Sequence, residues 1–282
     1  MMKKVLVAGA TGYLGAFVAK ELKKRAYHVR ALVRSPQKLK SSVTDLDEIV
    51  QGEITAPETL DGLCEGMDVV FSSVGLTRQK DKLTFRDVDY QGNKNLLEAA
   101  LDAEVKKFVY VSIFGGRELR HLDIVDAHEC FVDELIASGM DYTIIRPTGF
   151  FSDLEEFLAM ARKGRVFLFG SGQNRMNPIH GADLATRCVD ALEGDDVEIN
   201  VGGPEALTYH EIAELALEAA GKPSKITNLP VGLMKGISKA IRPFSRHQAE
   251  LFSFFVAMGT RDSLAPSYGS HTLESYYRES MQ

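Results

Sequence analysis

Three glycines, Gly9, Gly12 and Gly15, punctuate the segment Val5-Leu6-Val7-Ala8-Gly9-Ala10-Thr11-Gly12-Tyr13-Leu14-Gly15, between a short apolar run and a helical pattern. Glycines so placed can cradle a pyrophosphate. Gly9 permits a tight turn out of a strand, Gly12 lets the phosphates approach the backbone, and Gly15 lets the following helix pack close to the sheet. With Thr11, Tyr13 and Leu14 around them, the first N–H groups of that helix and the positive end of its dipole face the anion. The strand before and the helix after make this spacing specific for a dinucleotide.

The stretch Ala31-Leu32-Val33-Arg34-Ser35-Pro36-Gln37-Lys38 indicates which dinucleotide. An acid at the end of the second strand would hold a ribose 2′-hydroxyl, whereas a 2′-phosphate needs a cation. No acid is present; Arg34 offers a planar fork, Ser35 a hydroxyl or backbone N–H, and Lys38 further charge, so the segment favours NADP(H) over NAD. Gln51-Gly52-Glu53-Ile54 is suited to border the adenine, with Glu53 accepting from its amino group. Ser72-Ser73-Val74-Gly75 follows the fourth strand at the same sheet edge, so Val74 and Gly75 either flank the riboses or form a plain turn.

These segments must be held by βα units feeding a parallel sheet. From Lys4 to Thr148 short β-branched runs alternate with longer helical patterns. Strands are predicted at Val5–Ala8, Val29–Val33, Glu48–Val50, Val69–Phe71, Phe108–Val111 and Tyr142–Ile145. The first helix places Leu14, Val18 and Leu22 on one stripe. Others are predicted over about Thr84–Leu101 and about Asp123–Ser138, the latter ended by Gly139. After Arg146-Pro147 glycines break the chain into shorter pieces, with helices expected at Ala182–Leu192 and Tyr209–Ala220 and a strand at Val197–Val201. The expected fold is α/β, a Rossmann-type doubly wound parallel sheet over residues 1–150, with a smaller C-terminal substrate lobe over residues 151–282, parts of which return to the sheet.

A chain of 282 residues, 45% apolar and 26% charged, can bury a sizeable core. Its net charge of −6 and the lack of a long basic run argue against a grip on nucleic acid. The three cysteines, Cys64, Cys130 and Cys188, form no CxxC pair, which points away from a metal site or disulfide framework and fits a reducing, cytoplasmic setting. No stretch approaches the ~20 apolar residues of a transmembrane span, and the N-terminal apolar run is too short for a signal-peptide core.

Four segments together resemble the atypical short-chain dehydrogenase/reductases: Gly9–Gly15, Leu32-Val33-Arg34, Gly92-Asn93-Lys94-Asn95-Leu96-Leu97-Glu98-Ala99-Ala100 and Asp141-Tyr142-Thr143-Ile144-Ile145-Arg146-Pro147. The divinyl chlorophyllide reductase-like and NmrA-like branch is the closer match. Its marks are Arg146-Pro147-Thr148-Gly149-Phe150-Phe151, Phe169-Gly170-Ser171-Gly172, Asn177-Pro178-Ile179, Asp183-Leu184-Ala185, Gly202-Gly203-Pro204 and Pro266-Ser267-Tyr268-Gly269. The resemblance spans nearly the whole chain. It implies an NADPH-dependent reductase in which Pro147 to Phe151, Phe150 included, lies beside the nicotinamide while the C-terminal lobe covers a small-molecule substrate.

The family's Tyr-x-x-x-Lys pair is not matched. Its lysine position falls on His128 and its tyrosine position on Ile124. His128 can bind ribose or relay a proton, or can simply pack in a helix. Ser112, at the end of the fifth strand, matches the neighbourhood of the family's active-site serine, with Ile113 as the alternative equivalent. Hydride transfer belongs to the cofactor, so a reductase remains the primary expectation. A non-catalytic NADP(H)-binding regulator or assembly factor is the alternative, and a nucleotide-sugar epimerase, which relies on the missing pair, is disfavoured. The apolar and basic segment 229–258 fits a helix pair closing the core best, then a substrate lid, with an amphipathic membrane contact least favoured.

Overall fold

The computed structural model describes residues 2–38, 46–76 and 83–281, the side chains of Lys38 and Lys235 excepted. Along the chain the elements are β1 (Lys4–Ala8), α1 (Tyr13–Lys24), β2 (His28–Val33), β3 (Glu48–Gln51), β4 (Val69–Ser72), α2 (Asn93–Asp102), β5 (Lys107–Val111), α3 (Asp123–Ala137), β6 (Asp141–Pro147), α4 (Glu155–Arg162) and β7 (Val166–Phe169). They continue as β8 (Arg175–Met176), α5 (Gly181–Asp190), β9 (Glu198–Val201), β10 (Leu207–Thr208), α6 (Tyr209–Ala219), β11 (Ile226–Leu229), α7 (Val231–Ile241), α8 (Arg246–Gly259) and α9 (Leu273–Glu279).

Seven strands form one sheet in the order β3-β2-β1-β4-β5-β6-β9. The pairs from β3 across to β6 are all parallel, with Val5 opposite Val29 on one side and Val69 on the other. Val5, Leu6, Val7 and Ala8 are buried on both faces of the central strand, as their unbroken apolar run requires. At the edge, β3 alternates between half-buried and exposed residues. The order reverses between β1 and β4, which makes the carboxyl ends of these strands the switch point where ligands of open α/β sheets settle. The expected Rossmann-type fold is what the strands build.

Each strand expected up to residue 150 is present, extended at one or both ends, and the strand expected at Val197–Val201 begins one residue later. The helix expected over Thr84–Leu101 differs in kind. Arg86–Gly92 winds as a π-helix before regular α2 begins. The buried Asn93 side chain donates to the carbonyls of Val88 and Asp89, acceptors that an α-helical ladder would give to residues 92 and 93. Gly92 faces Ile54 so closely that a Cβ would sit 2.7 Å from its side chain.

The chain divides into two compact units, residues 1–146 with 184–199, and residues 147–183 with 200–282. In the second, α4, α6 and α9 bury Leu158, Ile212, Ala216 and Leu273 around Phe151 and Tyr277. Two small sheets, parallel β11–β7 and antiparallel β10–β8, complete it. Their two- to four-residue strands carry too little periodicity to be read from sequence, and none was expected.

Helix α6 starts with a reciprocal cap: Thr208 Oγ1 accepts from the Glu211 N–H at 3.1 Å, and Glu211 Oε2 accepts from the Thr208 N–H at 2.7 Å. Thr208→Ala is expected to lower stability by about 1 kcal/mol in urea unfolding. An unchanged midpoint would show that α6 is held by its packing alone. Segment 229–258 holds the end of β11 and a helix pair, α7 and α8. Helix α8 packs on β7 through Phe252, whose ring meets Phe169 edge-on at 5.6 Å.

Candidate functional site

The first unit gathers the glycine loop, the end of β2, the β3 and β4 loops and the start of α3 at the carboxyl ends of its strands. Gly9 adopts φ +93°, a conformation that side chains rarely adopt, and a Cβ there would lie 2.9 Å from Ser73 Oγ. The Gly12 N–H closes the turn on the Gly9 carbonyl at 2.8 Å. Gly12 caps α1 with no side-chain hydrogen bond of its own, as suits a helix start that turns its first N–H groups toward an anion. A Cβ on Gly15 would stand 2.1 Å from the Gly9 carbonyl oxygen, so the helix rests directly on the loop. Thr11 and Tyr13 are half-buried around it, Tyr13 against Phe17 at 5.4 Å, and Leu14 is buried. This backbone cradle, free of acids in the first helical turn, fits a pyrophosphate.

Arg34 follows β2 with an exposed side chain whose Nη1 lies 3.6 Å from Glu53 Oε1. Ser35 is half-buried beside it, and Lys38 ends a short 3₁₀ turn, its side chain lying outside the described residues. The expected adenine border is split. Glu53 is half-buried beside Arg34, while Ile54 is buried, turned onto Gly92, and its carbonyl accepts from Asn95 Nδ2 at 2.8 Å. In the β4 loop, Val74 accepts from Asn93 Nδ2 at its carbonyl and Gly75 is exposed.

Beneath Gly75 stands a buried chain of three side chains. A Cβ on Gly75 would lie 3.1 Å from Asp89 Oδ1 and 3.6 Å from the His128 ring. His128 Nε2 is 3.0 Å from Asp89 Oδ1, and its Nδ1 is 2.6 Å from the Tyr110 hydroxyl. Burial, reinforced by the negative charges of Asp89 and Glu129, pushes the Tyr110 hydroxyl far above its ordinary range. Tyr110 therefore keeps its proton and donates to Nδ1, which leaves Nε2–H to donate to Asp89. The Leu76 N–H also points to that carboxylate, at 3.1 Å. His128 is thus fixed in one tautomer and one orientation.

Ser112 belongs to a different network. Its hydroxyl donates to Glu129 Oε1 at 3.1 Å and accepts from Arg146 Nη1 at 3.2 Å. Arg146 and Glu129 form a two-pronged ion pair, both almost fully buried. Burial alone would lower the Arg146 pKa, but its bond to Glu129, with Glu198 assisting, holds it above the usual guanidinium value. Gly116 admits this pair, since a Cβ there would meet Glu129 and Arg146. In the second unit, Pro147 ends β6 in a buried position and Phe150 pairs with Ile179 in an isolated bridge.

Sequence reasoning missed Asp89, Tyr110 and Glu129. A hydroxyl inside the apolar run Phe108-Val109-Tyr110-Val111 was the available signal, because a buried phenol needs a partner. The acids carried none, since their roles depend on residues 39 and 17 positions away.

With this geometry in place, comparison with known proteins is informative. The NAD(P)H-binding family profile matches residues 9–196. The chain belongs to that family. It is 31% identical to the photosystem II assembly factor Ycf39 of Synechocystis sp., over 98% of this chain and 90% of the relative. It is 28% identical to the chloroplastic divinyl chlorophyllide a 8-vinyl-reductase of Arabidopsis thaliana, over 97% of this chain and 75% of that protein. The NADPH-dependent quinone oxidoreductase QOR2 of Escherichia coli, solved with NADPH, shares the fold with a TM-score of 0.79 at 19% identity, covering 99% of this chain and all of that one. The resemblance to the atypical short-chain reductases holds along nearly the full length. Among the described residues no helix is long and apolar enough to cross a membrane.

Proposed function

We propose that this chain is an NADPH-dependent reductase acting on a hydrophobic small molecule. The observation that carries the reading is a glycine cradle at the β1/β4 switch point with Arg34, rather than an acid, at the end of neighbouring β2. In this reading Gly9, Thr11, Gly12, Tyr13, Leu14 and Gly15 hold the pyrophosphate. Arg34, Ser35 and Lys38 hold the 2′-phosphate, with Glu53 and Ile54 bordering the adenine. Val74 and Gly75 flank a ribose. The bound dinucleotide supplies hydride. The chain's own groups orient it and exclude water. His128, held by Asp89 and Tyr110 beneath Gly75, lies beside the ribose, and it serves as the proton-relaying group once Nε2–H exchanges its bond to Asp89 for one to the ligand. Ser112 acts through the Arg146–Glu129 pair as a positioning residue. The free cysteines Cys64, Cys130 and Cys188 accord with a reducing, cytosol-like compartment.

The test compares thermal unfolding with NADPH and NADH at matched concentrations, since a ligand of the native state stabilises it. NADPH is expected to give the larger shift. Arg34→Ala is expected to weaken NADPH by roughly tenfold or more, the value of a charge-assisted hydrogen bond, and to leave NADH nearly unaffected. Equal shifts for both nucleotides in the wild type would remove the NADPH assignment, and no shift would remove the nucleotide.

A second reading, a non-catalytic NADP(H)-binding assembly factor, is supported by Ile124 and His128 at the positions of the reductase pair and by the likeness to Ycf39. NADPH oxidation against a panel of quinones and activated alkenes separates the two. Turnover with any member supports the enzyme. Inertness across the panel, with the NADPH shift retained, supports the binder.

A further inference from the structure

Helix α7 of the α7–α8 pair carries an inner stripe and an exposed stripe, roughly 100° apart around its axis. Its inner stripe, Met234, Ser238 and Ile241, recurs at helical spacing, with Met234 buried. Ser238 bonds α8 through Ser253 Oγ at 2.7 Å and the Ala249 carbonyl at 3.1 Å. A second stripe at the same spacing, Leu233, Ile237 and Ala240, is exposed, Leu233 to 55%. At the turn into α8, Phe244 is 91% exposed. Lys239 and Arg242 occupy the remaining arc, Arg242 with its guanidinium 3.1 Å from Glu250. Between Glu218 and Glu250 the sequence contains Lys222, Lys225, Lys235, Lys239, Arg242 and Arg246 and no acid, in a chain whose net charge is −6.

From this charge segregation and the uncovered apolar stripe, we infer that the α7–α8 hairpin docks on an anionic lipid surface. Leu233, Ile237 and Phe244 enter the boundary between headgroups and acyl chains, and the cations on the other arc meet the headgroup phosphates. A helix with an apolar face and a Lys/Arg-bearing face is the pattern of segments that lie in the membrane interface without crossing it. The stripe lies along a single convex helix. A fluid anionic surface needs no matching contour, whereas an acidic protein partner would need one, and the exposed aliphatic and aromatic groups offer such a partner no hydrogen bond. The surface stands apart from the glycine loop and Arg34 in sequence, so docking and nucleotide binding can be read separately.

The test sediments the full chain with vesicles of phosphatidylcholine alone and of equal parts phosphatidylcholine and phosphatidylglycerol. Binding is expected to the second and not the first, and is expected to weaken as salt screens the headgroups. Leu233→Ser/Ile237→Ser/Phe244→Ser is expected to abolish it. Lys239→Gln/Arg246→Gln is expected to weaken it about thirtyfold, from roughly one kilocalorie per mole for each of the two cations near an anionic surface. All five side chains are exposed, and an unchanged unfolding temperature checks that the variants fold. Wild-type protein that stays in the supernatant with phosphatidylglycerol overturns the inference, as does binding that both variants retain. Capture by immobilised polyglutamate without vesicle binding would assign the hairpin to an acidic protein and equally overturn it.

Discussion

Gly15→Val is expected to weaken NADPH binding by about thirtyfold and to lower stability by about 1–3 kcal/mol. The added Cβ would lie 2.1 Å from the Gly9 carbonyl oxygen, 2.6 Å from the Gly9 carbonyl carbon and 3.0 Å from the Ala10 nitrogen. All three neighbours are backbone, so no rotamer change relieves the collision; α1 must lift from the loop. The stability cost is that of overpacking a close-packed contact. The binding cost follows from moving the N-terminal end of α1 and its helix dipole away from the phosphates, worth up to about 2 kcal/mol in a partly buried geometry, which converts to the stated factor. Titration of the variant with NADPH, alongside urea unfolding, checks both parts. A variant that binds as the wild type does would show that the nucleotide does not sit over this loop.

Glu129→Gln is expected to cost about 3–5 kcal/mol in urea unfolding, the cost of leaving one partner of a buried ion pair charged without its buried counterion. Arg146 is 2% exposed, and beyond Glu129 it has the Ser112 hydroxyl, the Ile113 carbonyl and Glu198, whose Oε1 is 3.4 Å from its Nε. The Ser112 hydroxyl and the Ile113 carbonyl solvate the guanidinium without neutralising it, and Glu198, partly exposed and shared with Arg117, offsets its charge only in part. Because the penalty belongs to the unpaired charge and not to the loss of the pair, the double variant Glu129→Gln/Arg146→Met is expected to recover most of the stability. A single variant as stable as the wild type would mean that Glu198 has taken over the pairing.

The sequence discloses what backbone geometry and local periodicity dictate. Gly9 and Gly15 were legible because their positions forbid a side chain, by conformation in one case and by contact in the other, and a strand and helix flank them. The end of β2 was legible because strand length fixes where Arg34 emerges. The Asp89–His128–Tyr110 chain was legible only at His128, where the family pattern drew attention. Its other members come from the π-helical turn and from β5, and no spacing rule connects them. Ser112 was correctly located at the end of the fifth strand, but the direction of its hydroxyl depends on Glu129 and Arg146, which meet it only after folding. The π-helix itself arises from the Asn93 amide competing for backbone carbonyls, a tertiary effect hidden inside a helical pattern. In the C-terminal unit, two-residue strands such as β8 and β10 are defined by their partners rather than by their own letters.

The return of residues 184–199 to the first unit bears on how the chain is made. The edge of β6 is covered by β9, with the Ile144 N–H donating to Val197 and the Thr148 N–H to Val201. During synthesis β6 therefore leaves the ribosome well before the strand that covers it, separated by the fifty or so residues between Arg146 and Ile199. At a ribosomal pace of roughly 5–20 residues per second, that interval is about 3–10 s. For that time a buried-type strand, with Thr143, Ile144 and Ile145 at its centre, presents an unpaired row of N–H and carbonyl groups to every other nascent chain nearby. The interval is a window of aggregation risk written into the order of the gene, and it closes only when the second unit is already partly translated.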